Sequence, residues 1–93
     1  MESTYNLVER DFLDKTMKNL PIIKKVVYMY ADNIADQADL EQEIFLQLWK
    51  SFSSFRGLSK YETWMYRVAL NTAIMSLKKR SLYRLIRNNL KRE

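Results

Sequence analysis

The side chains that carry most protein catalysis are missing: the 93 residues contain neither cysteine nor histidine. That removes thiolate nucleophiles, disulfides, imidazole bases and the two commonest transition-metal ligands, leaving chiefly carboxylates and lysines to titrate in a reaction. The carboxylates form no dyad. Asp36 and Asp39 stand where the first residues of a helix belong, and Glu41 and Glu43 are two apart, so they do not face each other on a helix. The expectation is a binding protein, not an enzyme, with no catalytic residue, no metal and no cofactor.

Recognition chemistry is better represented. At about 100° per residue, Lys60, Arg67, Asn71 and Lys78 fall within about 20° of one line along a helix. Cations with an amide among them suit a phosphate backbone, and Asn71 can donate to phosphate or to a base edge. The same spacing also describes a solvated stripe on a core helix. Just before this line, Phe52, Phe55, Arg56, Tyr61 and Trp64 bring aromatics and cations together, the pairing by which proteins stack the bases of a single strand and follow its backbone. Phe52 and Trp64 are expected in the core.

The elements that must position these residues are helical. One glycine, Gly57, and one proline, Pro21, leave the turn-forming residues nearly absent. The expected fold is all-α, a compact bundle of about four helices plus a short C-terminal basic helix. A first helix is expected over 4–19. A second opens at Pro21, with Ile22, Ile23, Val26, Val27, Tyr30 and Ile34 on one face. The third starts at Asp36 as its cap, buries Leu40, Ile44, Phe45, Leu48 and Phe52, and carries Asp39, Glu43, Gln47 and Lys50 as a polar stripe. Gln42, Leu46 and Trp49 flank that stripe, and their spacing alone favours core packing over a partner surface. The segment 51–60, with four serines and Gly57, reads as a loop. Ser59 and Glu62 form an S-x-x-E capping box for a fourth helix over 60–80, expected to be buried on nearly every side except its cationic ridge.

Charge is divided along the chain. Residues 1–55 hold six basic and nine acidic groups, a net of −3, whereas residues 56–93 hold ten basic and two acidic groups, a net of +8. Such a split suggests two partners, one of them a polyanion. In the tail, Leu82, Leu85, Ile86 and Leu90 oppose Arg84, Arg87, Lys91 and Arg92, a basic amphipathic pattern that also suits an anionic membrane or an acidic partner. With no signal-like segment at the start and no run of about 20 apolar residues, a cytoplasmic location is expected.

Two segments resemble region 2 of the extracytoplasmic-function (ECF) sigma factors. DQADLEQEIFLQLW at 36–49 resembles that family's D-x-x-D-L-x-Q-E-x-F-L-x-x-W, and FRGLSKYETWMYRVALN at 55–71 resembles F-R-G-x-S-x-F-x-T-W-L-x-R-I-A-x-N. The resemblance implies a transcription initiation factor that binds core RNA polymerase and recognises and melts the minus-ten promoter element. It implies that Asp39, Gln42, Glu43, Leu46 and Trp49 meet the clamp helices of the polymerase β′ subunit. It further implies that Phe55, Arg56, Gly57, Leu58, Ser59 and Lys60 receive a base flipped from the non-template strand, which Arg67, Asn71 and Lys78 hold, with Tyr61 beside them. An anti-sigma factor is a partner commonly found in this family, and a membrane is not an expected one. The chain departs from the pattern at Met75, where the family usually has aspartate. Residues 1–80 are expected to be the region 2 domain and 81–93 the start of an interdomain linker or an extra helix. The helix-turn-helix domain that reads the minus-thirty-five element is not among the 93 residues.

Overall fold

The computed structural model describes residues 4–91, with side chains from residue 7 onward. Four helices, α1 (Thr4–Lys18), α2 (Leu20–Tyr30), α3 (Ile34–Ser51) and α4 (Tyr61–Lys91), are joined by short connections, with a single 3-10 turn, Phe52–Ser54, after α3. Among the described residues there is no strand, as expected of an all-α chain.

Burial follows the periodicity of the apolar residues. Ile23, Val26 and Val27 of α2, Leu40, Ile44 and Leu48 of α3, and Met65, Ala69 and Ala73 of α4 make one core. The two alanines let α4 approach α2 and α3 closely, so α4 contacts both. From α1, Phe12 enters this core edge-on against Trp49 (5.1 Å) and Phe52 (5.2 Å). Thr16, fully buried, shares a 2.8 Å hydrogen bond with the Tyr61 hydroxyl and so ties α1 to the start of α4. Thr72 satisfies its hydroxyl within its own helix, donating to the Val68 carbonyl at 2.7 Å.

The boundaries correct several expectations. α2 stops at Tyr30, and Ile34 opens α3 at 85% exposure instead of extending the face of α2. Asn33, not Asp36, caps α3. Its side-chain oxygen accepts from the Asp36 backbone N–H at 2.9 Å, and its amide donates to the Asp36 carboxylate at 2.9 Å. Asp36 thus occupies the third helical position, where its charge still meets the positive end of the helix. The Ser59–Glu62 box is replaced as well. The Ser59 hydroxyl donates to the Lys60 carbonyl at 3.4 Å, and that carbonyl accepts the first bond of α4, from Trp64 at 3.1 Å.

α4 differs most from expectation. It does not end near Arg80 but runs unbroken for 31 residues, roughly 46 Å at about 1.5 Å per residue. It is also not buried on nearly every side, since Tyr66, Met75 and Leu77 are exposed. α2 and α3 supply most of its cover, on one face, while α1 meets it at Tyr61 near its start. Beyond Arg80, which pairs with Asp36 at 3.4 Å, residues 81–91 are all exposed. This projecting arm accounts for extents of 59 × 26 × 26 Å.

Candidate nucleic-acid interface and partner helix

The outer face of α3 is assembled by what its inner face buries. With Leu40, Ile44 and Leu48 fixed in the core, the helical repeat turns Asp39, Gln42 and Glu43 to solvent and leaves Leu46 46% exposed. Gln47 donates to Glu43 at 3.2 Å, which orders the stripe along the helix. Trp49 is different. It is half-buried, edge-on to Phe12 and stacked on Phe52 at 6.4 Å, so it supports α1 as much as it edges the outer face. Glu41 turns the other way and receives Lys24 from α2 at 2.9 Å. That hydrogen bond holds the Lys24 ammonium above the usual lysine range.

The loop after α3 is held by aromatic rings. Phe55 lies edge-on to Tyr61 (5.4 Å) and tilted against Trp64 (5.2 Å), while Tyr61 meets Phe52 (6.3 Å). The rings that could stack on a base are therefore partly spent on one another, with Phe55 and Tyr61 half-buried. Burial pushes the Tyr61 phenol above the usual tyrosine range, against the opposing effect of its bond to Thr16. Gly57 has φ +71°, a left-handed conformation that a side chain resists, although nothing lies within 4 Å of where a Cβ would stand. The turn it makes pushes Leu58 out to 93% exposure and leaves Arg56 and Lys60 in solvent, with Ser59 half-buried beside them.

Lys60, just before α4, and Arg67, Asn71 and Lys78 on it are all exposed, so the ridge expected from spacing exists as a surface. Asn71 has a second setting that spacing does not reveal. A groove of about 660 Å³ lies between α3 and α4, lined by Asp39, Glu43 and Gln47 on one wall and by Asn71, Met75 and Lys79 on the other. Asn71 thus borders both the cationic ridge and the acidic stripe. Arg80 at the end of this groove, paired with Asp36, also escaped sequence reasoning, because 44 positions separate the partners. No group of histidine, cysteine, aspartate or glutamate among the described residues is arranged to hold a metal.

The Sigma-70 region 2 family matches residues 16–83, a span that includes α2, α3, the loop and α4 as far as the arm. The chain belongs to the Sigma-70 region 2 family. It is similar to the ECF RNA polymerase sigma factor SigG of Mycobacterium tuberculosis, 38% identical over 53 residues that make up 57% of this chain and 14% of the relative. It is similar also to the ECF RNA polymerase sigma-E factor of Haemophilus influenzae, 50% identical over 38 residues, 41% of this chain and 20% of the relative. A longer likeness joins it to the RNA polymerase sigma-H factor of Pseudomonas aeruginosa, 32% identical over 79 residues, 77% of this chain and 41% of the relative. The chain therefore spans less than half the length of these relatives. No solved structure matches it with comparable significance. Membership places the chain among sigma-factor domains and not among enzymes.

Proposed function

We propose that this chain binds core RNA polymerase through α3 and recognises and melts the minus-ten promoter element through the 55–60 loop and α4. The observation that carries the reading is that one region 2 domain exposes two surfaces of opposite charge, on adjoining helices. Asp39, Gln42, Glu43 and Leu46 stand out from α3, and Arg67, Asn71 and Lys78 stand out from α4, with Lys60 just before its start. The α3 surface, acidic with one exposed leucine, suits the clamp helices of the β′ subunit, with Trp49 at its edge. The α4 ridge suits one melted strand, the non-template strand, with phosphates along Arg67 and Lys78 and Asn71 within reach of a base.

Opening the duplex requires no covalent step. A flipped base loses stacking and pairing worth a few kcal/mol, which contacts in the open state must offset. The exposed Arg56, Leu58 and Lys60, projected by the Gly57 turn, and the half-buried Phe55, Ser59 and Tyr61 surround the place where that base would be received. The described helices include none long and apolar enough to cross a membrane. A domain that serves core polymerase works in the bacterial cytoplasm, where an anti-sigma factor covering α3 would hold it inactive.

Alanine at both Arg67 and Asn71 is expected to weaken binding to a labelled minus-ten single strand at low salt by at least tenfold, while core polymerase is retained with wild-type affinity. Strand affinity that stays unchanged in a fluorescence titration would remove the DNA face from α4.

A further inference from the structure

The arm of α4 carries a second line of cations that the ridge does not include. Counted at about 100° per residue from Arg80, residues Arg84, Arg87 and Lys91 fall at about +40°, −20° and +20°, a line about 16 Å long. On the same count Leu82, Leu85, Ile86 and Leu90 lie at about 200°, 140°, 240° and 280°, and the ridge residues Arg67, Asn71 and Lys78 at about 140° to 180°. The line therefore looks away from both the apolar stripe and the ridge. A strand lying on the ridge does not reach it.

Arg80, from which the line is counted, is engaged, but the three cations beyond it are not. Arg80 is held by Asp36 at 3.4 Å, which anchors the base of the arm over the start of α3. Among the described residues none pairs with Arg84, Arg87 or Lys91. No acidic residue occurs between Glu62 and Glu93, so no glutamate one turn away offsets them. The helix dipole favours Lys91, in the last turn, but fades within a turn and leaves Arg84 and Arg87 without that explanation. From Arg84 onward the line also lies outside the span 16–83 that matches the family.

We propose that Arg84, Arg87 and Lys91 form a second nucleic-acid site that takes the phosphate backbone of duplex DNA. The proposal deepens the DNA-binding reading of α4 by placing single strand on the ridge and duplex on the arm. The line is cationic along its whole length, and its sole neighbouring aromatic, Tyr83, stands about 60° off it, so it offers backbone contact without a row of stacking platforms. The three free cations span about 10 Å, the axial rise of about three phosphates of one strand of B-form DNA, so each can meet one. An anionic membrane would accept the same opposition of cations and leucines. What favours DNA is that the arm continues, without a break, the helix that carries the ridge of a sigma-factor domain, and vesicles therefore stand as the competing probe.

The test compares the wild-type 93-residue chain with an Arg84→Gln, Arg87→Gln, Lys91→Gln variant; glutamine keeps the helix propensity of the arm. Binding to a mixed-sequence duplex is measured by fluorescence anisotropy across a salt series, with a minus-ten single strand and phosphatidylglycerol vesicles as parallel probes. Three lost phosphate contacts are expected to flatten the salt dependence of duplex binding by about 2.7 in the log–log slope and to lower low-salt affinity at least tenfold. Single-strand binding is expected to persist. An unchanged duplex slope, an equal loss on both DNA probes, or a wild-type preference for vesicles that the variant loses would each overturn the proposal. The Arg67→Ala, Asn71→Ala variant separates the two readings: if it keeps single-strand affinity the ridge assignment fails, whatever the arm does.

Discussion

Leu46 and Leu48 are two positions apart on α3, which turns them about 200° from each other on the helix. Leu48 is fully buried and Leu46 is 46% exposed, so alanine at each position should separate folding from binding. Leu48→Ala removes a completely packed side chain and is expected to cost about 3–5 kcal/mol, a large part of the roughly 5–15 kcal/mol that holds a domain of this size together. Leu46→Ala gives up only about half of the 1.5–3 kcal/mol that full burial of a leucine provides, or about 1 kcal/mol. If Leu46 seats in a polymerase pocket, its loss should cost about 1–2 kcal/mol of binding, a roughly 5- to 30-fold higher Kd. Urea unfolding can be followed through Trp49 and Trp64, the chain's two tryptophans, and binding through titration of immobilised core polymerase. The expected pattern is a weak binder that unfolds nearly as the wild type does for Leu46→Ala, and a chain with a much lower midpoint for Leu48→Ala. Wild-type polymerase affinity in Leu46→Ala, or equal destabilisation by the two substitutions, would refute the division of α3 into an inner and an outer face.

Two further outcomes follow from the caps and the aromatic loop. Asn33→Ala removes both bonds to Asp36 at the start of α3 and is expected to lower stability by about 1 kcal/mol in chemical denaturation, with Asn33→Ser retaining most of it. The Tyr61 phenol is pushed up by burial, so the folded state keeps its proton after the unfolded chain has lost it at about pH 10. The stability tied to that proton is complete below about pH 10 and is lost as pH rises through the folded value. Ultraviolet titration should therefore find one late-ionising tyrosine that is missing in Tyr61→Phe, and Tyr61→Phe should lose stability less steeply than the wild type at alkaline pH.

The sequence patterns that proved readable were those in which a local repeat decides the outcome. Ile23, Val26 and Val27, and then Leu40, Ile44 and Leu48, recur at three and four because each set must meet one neighbour, and that repeat survives any change in how the helices cross. Exposure of the Lys60, Arg67, Asn71 and Lys78 ridge follows from the same arithmetic. The start of α3 was misread for a local reason. Asp36 suits a cap by type, and the true cap, Asn33, is found only once the end of α2 is known, which no glycine or proline marks. The capping bond and the reciprocal amide–carboxylate bond use both residues at once, so the expected cap proves to be the other half of the same device.

The extent of α4 was misread because its two relevant signals are not local. The cluster Lys78, Lys79 and Arg80 resembles the basic last turn of a helix, yet nothing after it breaks the backbone, and Ser81 continues the helix without a cap. An apolar residue such as Tyr66 or Leu77 reveals that a helix has something to bury, but not how many neighbours will cover it. Here α2 and α3 do most of it, and Arg80 reaches Asp36 at the point where their cover ends. Past that point the face that carried Ala69 and Ala73 becomes the face of Arg84 and Arg87, so the same helical repeat that packs the core presents arginines to solvent. A face that continues a core with cations, on a helix too rigid to fold back over it, is more economically explained by a charged partner than by packing within this domain.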